Sequence, residues 1–222
     1  ALPISTVREL RDAGGRAAAF RADVTDPAQV NAMIDACVAE FGGLDVCFAN
    51  AGIGGGTDAE FWEYPDWAFD EVLQINLHSS FYTCRAAAKS MIDRGTGGVL
   101  VVTSSVAAYR ASRRWAYGIA KAGVLAMMNT LSGTLAPHGI RVNCISPGVV
   151  MQRDAQDDRE RAEWAQRGSF FPVQRLGEWW EMGPLAVYLA SDASRYVTGH
   201  DFLIDGGMTI AGIAPEIGRA HV

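Results

Sequence analysis

The chain has 222 residues, a length that suits one domain with a sizeable buried core. Its 49% hydrophobic and 20% charged content separates it from disordered chains, and a net charge of -6 argues against a nucleic-acid surface, which needs clustered Lys and Arg. No apolar run approaches the ~20 residues of a bilayer crossing.

Short apolar or β-branched runs alternate with long amphipathic stretches, the pattern of a parallel α/β sheet. In chain order, Arg16 to Arg21 reads as a strand. A helix follows over Asp26 to Phe41, with Asp26 as N-cap, Pro27 at the first helical position and Gly42-Gly43 as its stop. Leu44 to Ala49 is the next strand, Asp66 to Arg94 a long helix, and Val99 to Thr103 a strand apolar enough for burial on both faces. A helix over Ser112 to Pro137 closes at His138-Gly139. Strands at Arg141 to Ile145 and Phe202 to Ile204 then stand either side of a helix at Trp179 to Ala190. Met151 to Trp180 breaks the rhythm with dense charge and with Trp164, Phe170 and Phe171. It reads either as a lid insertion or as a solvated helix with an apolar underside.

Cys37, Cys47, Cys84 and Cys144 lack CxxC spacing and lie in apolar segments, as free thiols of a reducing compartment do. A cytoplasmic location is expected. His78, His138, His200 and His221 are scattered without metal-ligand spacing, so no metal is assigned.

Tyr117 and Lys121 stand at i and i+4 of a predicted helix, so their side chains share a face. A free phenol, with a pKa of about 10, is a poor base at neutral pH; a neighbouring cation favours the phenolate. A tyrosine merely packed on a lysine stem would give the same spacing. Yet of 19 basic residues two alone, Lys89 and Lys121, are lysines. Ser104-Ser105 end a predicted strand upstream, where a hydroxyl can hydrogen-bond a substrate carbonyl that the tyrosine protonates.

With Thr103-Ser104-Ser105-Val106-Ala107 ahead of Tyr117-x-x-x-Lys121, the chain resembles the short-chain dehydrogenase/reductase family. Further motifs follow in family order: Asp23-Val24, Asn50-Ala51-Gly52, Gln74-Ile75-Asn76, Arg141-Val142-Asn143, Pro147-Gly148, Thr198-Gly199 and Asp205-Gly206-Gly207. The resemblance implies a Rossmann-like, doubly wound parallel α/β sheet in a single NAD(P)-binding domain, with NAD or NADP as cofactor. It implies Tyr117 as general acid in ketone reduction and base in alcohol oxidation. Lys121 would hold the nicotinamide ribose, Ser105 (with Ser104 as the other candidate) would polarise the substrate oxygen, and Asn76 would kink its helix and anchor a relay water. Asp23 and Val24 would border the adenine pocket, with Asn50, Ala51, Gly52, Pro147, Gly148 and Val150 along the cofactor. Gln152 stands where the family often has threonine.

The family's opening strand and Gly-rich phosphate turn have no counterpart here, so the first βαβ unit is expected to be missing. Gly54-Gly55-Gly56 precedes acidic Asp58 and Glu60 and does not suit a phosphate cradle. Ala1 to Ile4 can be encoded by GCTCTTCCGATC, whose reverse complement fits codons for Glu216 to Ala220. Residues 1 to 4 and 216 to 222 are therefore expected to be non-native, resembling ligated sequencing adapters. The chain by itself is expected to be inactive, to bind NAD(P) poorly and to aggregate through an open sheet edge.

For the intact parent, the expected reaction is hydride transfer between NAD(P)(H) and a secondary alcohol or ketone. A non-catalytic dinucleotide-sensing or scaffold protein on the same fold is the other reading. Trp62, Tyr64, Tyr109, Trp115 and Phe171 mix with Arg110, Arg113 and Arg114 in the loops around the pocket, which would suit a cyclic or aromatic ketone with an anionic group, or an acyl thioester. The expected partners are a small molecule and further copies of the chain, as a dimer or tetramer through the two long helices, with no nucleic acid and no membrane.

Overall fold

The computed structural model describes residues 2–110, 114–151 and 153–210. Its helices and strands, in chain order, are α1 (Leu2–Asp12), α2 (Pro27–Phe41), β1 (Val46–Ala49), α3 (Asp66–Leu73), α4 (Ser79–Arg94), β2 (Gly98–Thr103), α5 (Trp115–Leu135), β3 (Ile140–Pro147), α6 (Asp158–Gly168), α7 (Gly183–Ala190) and β4 (Asp201–Ile204). The four strands pair in the order β1-β2-β3-β4, every pair parallel.

Parallel neighbours need a crossover between them, and the crossover helices cover both faces of the sheet. Alternation along β2 divides the core accordingly. Leu100 and Val102 face a layer built from Ile34 of α2, Cys84, Ala87 and Met91 of α4, and Val124 and Met128 of α5. Val99 and Val101 face Leu189 of α7. The sheet is doubly wound. Cys47, Cys84 and Cys144 are buried, and burial pushes the Cys47 thiol up to about 11.

The helix boundaries follow their capping residues. The Asp26 carboxylate accepts from the Ala28 and Gln29 N–H groups, Pro27 opens α2, and Gly42 ends it with a left-handed φ of 85°. α5 starts at Trp115; Ser112, where the sequence predicts its start, lies outside the described residues, as do Gln152 and residues 216 to 222. The predicted helix over Asp66 to Arg94 is divided by one π-helical turn, Gln74–His78, between α3 and α4.

One predicted strand is absent. Arg16 to Arg21 forms no ladder, and β1 pairs with β2 alone. A strand exists only where a partner's N–H and C=O groups face it. Here the Ala17 carbonyl instead accepts from Arg11 Nε at 2.9 Å, and Arg16 donates to the Glu40 carbonyl at 3.0 Å. Phe20 is left partly exposed, as is Phe48 on β1 at 43% exposure.

The 151–180 segment carries α6 and two bidentate ion pairs, Arg153–Glu160 and Arg175–Glu181. The Arg153 guanidinium lies 5.7 Å from the Trp164 ring centroid. A single bridge between Val150 and Gly177 ties the segment's two ends together. No helix among the described residues is long and apolar enough to cross a membrane.

Candidate active site

The C-terminal ends of β1, β2 and β3 open into a cleft of about 290 Å³, where the crevice of a doubly wound sheet takes its ligands. The turn after β1 supplies Asn50, Gly52, Ile53 and Gly54; β2 and its continuation supply Thr103, Ser104 and Ser105; the end of β3 supplies Pro147 and Gly148. Across the cleft, α5 presents Arg114, Tyr117 and Lys121, spaced i, i+3 and i+7 on one helical face. Asn76 of the π turn completes the wall.

Lys121 is 3% exposed, and its ammonium donates to the Thr103 carbonyl at 2.8 Å. The same nitrogen lies 5.6 Å from the centroid of the Tyr117 ring. Burial disfavours the charged amine and lowers its pKa from 10.5 to about 8. Ser104 and Ser105 differ sharply. Ser104 is buried, and its hydroxyl donates to the Lys121 carbonyl at 2.8 Å, fastening the strand end to α5. Ser105 is half-buried and caps the 3₁₀ turn Val106–Ala108, its oxygen accepting from the Ala107 N–H at 3.2 Å.

Asn76 is fully buried. Its amide donates to the Val72 carbonyl at 2.9 Å and to the Ile53 carbonyl at 3.0 Å, while its oxygen accepts from the Ile53 N–H at 3.2 Å. The turn after β1 is thereby held against the π turn. Gly52 lies between them: a Cβ there would stand 2.6 Å from Asn76 Oδ1 and 3.5 Å from Lys121 Nζ. The Asn50 side-chain oxygen accepts from the Thr103 hydroxyl at 2.8 Å.

Four residues singled out in the sequence stand apart from this lining. Asp23 accepts from the Thr25 N–H and hydroxyl, which lower its carboxyl pKa, and Val24 follows it in the same turn. Ala51 is exposed beside Gly52, and Val150 is engaged with Gly177. Conversely, Thr103 and Ile53 contribute backbone groups that pattern reading overlooks. Thr103 was detectable as the residue ending an apolar strand just before Ser104; Ile53 carried no such signal.

Residues 3–209 match a family described as Enoyl-(Acyl carrier protein) reductase. A short-chain type dehydrogenase/reductase from Mycobacterium marinum superposes with a TM-score of 0.82 at 35% identity, over 91% of this chain and 80% of that one. The chain belongs to the short-chain dehydrogenase/reductase family. An L-rhamnose 1-dehydrogenase (NAD(P)(+)) of this family, from a Sphingomonas strain, is 35% identical over 213 residues, spanning 93% of this chain and 81% of that protein. An NAD+-bound xylitol dehydrogenase superposes with a TM-score of 0.82 at 30% identity, covering 92% of this chain and 84% of its own. The doubly wound sheet is that of the short-chain dehydrogenase/reductase fold.

Proposed function

We propose that the protein is an oxidoreductase that interconverts a secondary alcohol and a ketone with NAD or NADP. The observation that carries this reading is the convergence of Ser105, Tyr117 and Lys121 on one cleft beside the turn that follows β1.

Lys121 lines the cleft from α5, Asn50 and Gly52 from the turn after β1 and Pro147-Gly148 from the end of β3, so the residues fit a flat ring and its ribose. Lys121, Asn50, Gly52, Pro147 and Gly148 would hold that half of the dinucleotide, with Ala51 and Val150 flanking the cleft and Asp23 and Val24 toward the adenine. When bound, the nicotinamide supplies or takes the hydride.

In the reductive direction, the Tyr117 hydroxyl gives its proton to the carbonyl oxygen, and the Ser105 hydroxyl donates a hydrogen bond to the same atom. Ser105 suits this task because its oxygen accepts from Ala107 while its proton remains for a ligand. Ser104 does not, since its own proton is spent on Lys121. In the oxidative direction Tyr117 takes the proton from the alcohol, and the Lys121 ammonium beside it stabilises the phenolate. Asn76 fixes the turn after β1 through Ile53 and so keeps the cleft floor in place.

The charge and aromatic content of residues 151–180, an insertion into a single domain, support a role for that segment as a lid. The apolar groove lined by Phe81, Cys84, Ala88, Ile92, Leu131 and Leu135, on α4 and α5, supports assembly with further copies of the chain. Tyr117→Phe tests the reading. The cleft shape is retained while the proton donor is lost, so the rate of cofactor-dependent ketone reduction should fall at least about a hundredfold. An unchanged rate would end the proposed mechanism.

A further inference from the structure

The 3₁₀ turn that Ser105 caps is fastened along its whole length. Before it, the Ser104 hydroxyl holds the Lys121 carbonyl of α5. In its middle the Ala107 carbonyl lies against α5 where Gly118 has no side chain; a Cβ there would stand 3.1 Å from that oxygen. After it, Tyr109 donates its hydroxyl to Asp201 Oδ2 at 2.5 Å, 92 residues away in the chain. Of the neighbouring loop arginines, Arg113 lies outside the described residues, and Arg110 donates to the Met208 carbonyl at 2.7 Å.

Asp201 is a firm base for such a tie. It opens β4 in register with Cys144 of β3, and its other oxygen accepts from the fully buried Ser146 hydroxyl at 2.8 Å. Tyr109 is 50% exposed, so packing of its ring adds little and the attachment is the bond from phenol to carboxylate. Charge-assisted O–H···O⁻ bonds of this length are roughly twice as strong as neutral ones. From Tyr109 the tie reaches Ser105 through short links. The Tyr109 N–H donates to the Val106 carbonyl and the Ala108 N–H to the Ser105 carbonyl, both at 3.0 Å, while the Ala107 N–H donates to Ser105 Oγ at 3.2 Å.

We infer that Tyr109 and Asp201 are positioning residues for Ser105: their bond fixes the turn whose Ala107 N–H holds the Ser105 oxygen. This rests on the oxidoreductase reading above, in which the Ser105 hydroxyl donates to the carbonyl oxygen of the substrate. Ser105 lines the cleft; Tyr109 and Asp201 stand outside its lining, so they act through Ser105 and not on the substrate. A misplacement of about 1 Å in a group that meets the reacting atoms can cost on the order of a hundredfold in rate.

The test uses Tyr109→Phe, which keeps the ring and deletes the hydroxyl. Amide hydrogen exchange at Ala107 reads the Ser105 contact directly and needs no turnover. It should quicken at least about tenfold, while the Val124 and Met128 amides within α5 keep their wild-type rates. Asp201→Ala should match this, and Asp201→Asn, which keeps an oxygen for the phenol, should restore most of the protection. In cofactor-dependent ketone reduction, Tyr109→Phe should lower kcat roughly tenfold and leave the cofactor KM within about twofold. Introduced into Ser105→Ala, the same change should cost less than about twofold, because the group it positions is gone. Unaltered exchange at Ala107 overturns the inference, as does equal acceleration throughout α5, which would mean a general loosening of the fold. An equal fold-loss of kcat with and without the Ser105 hydroxyl overturns it too. Quickened exchange at Ala107 together with an unchanged Tyr117→Phe rate would keep Tyr109 as the anchor of the turn and reject the chemistry alone.

Discussion

The side chain of Asn76 pairs with both backbone polar groups of Ile53, donating at 3.0 Å and accepting at 3.2 Å, 23 residues apart in the chain. It does for the turn after β1 what a neighbouring strand would do. Removing it strands two backbone groups at Ile53 together with the Val72 carbonyl. Asn76→Ala is expected to lower unfolding free energy by about 2–4 kcal/mol. Asn76→Asp, which keeps the shape but loses both donated bonds, should do at least as much harm at pH 8. Urea titration checks both; a change below about 0.5 kcal/mol would mean that the turn is held elsewhere.

Gly52 tests the same contact from the other side. Alanine would place its methyl 2.6 Å from Asn76 Oδ1. Either the amide or the turn must move, and Gly52→Ala should cost about 1–3 kcal/mol. Combining it with Asn76→Ala should recover part of that loss, because the obstacle is gone. Strict additivity in the double variant contradicts the contact.

The two adjacent serines should separate in an activity assay. Ser105→Ala is expected to reduce turnover roughly a hundredfold or more, the scale of losing one donor to a developing oxyanion. Ser104→Ala should instead lower stability by about 1 kcal/mol and leave turnover within a few-fold, since its hydroxyl serves the Lys121 carbonyl. Exchange of those two outcomes would assign the substrate oxygen to Ser104.

Lys121 makes stability depend on alkaline pH. Its amine has a folded-state pKa of about 8 against the usual 10.5, so between those values the unfolded chain binds more protons. Stability relative to Lys121→Met should therefore rise with pH across that window and be flat below it, by up to about 3 kcal/mol in total. Urea midpoints at pH 7 and pH 10 supply the comparison. A pH-independent difference would show that the buried amine titrates normally.

Much of this was readable beforehand, where short-range chemistry decides the outcome. Asp26-Pro27 and Gly42 bracket α2 because caps act within four residues, and the spacing of Tyr117 and Lys121 is set by helical pitch alone. The choice between Ser104 and Ser105 was not settled by spacing, since both end the same strand. Their different fates follow from which hydroxyl α5 packs upon. Arg16 to Arg21 has the composition of a strand without a partner, and a ladder is a property of two segments. The tie between Asn76 and Ile53 is a long-range contact of the kind that periodicity never reports.

The π turn at Gln74–His78 holds one residue more per turn than the helices on either side, which offsets the phase of α4 from that of α3 by about 100°. That offset lets α3 aim Val72 at Ala116 and Ala120, while α4 aims Cys84, Ala87 and Met91 at the sheet. Composition in this stretch is thus less constrained than length. Excising any single residue from it would swing α4's apolar stripe a quarter-turn off the sheet, or else drag the amide of residue 76 out of the cleft wall.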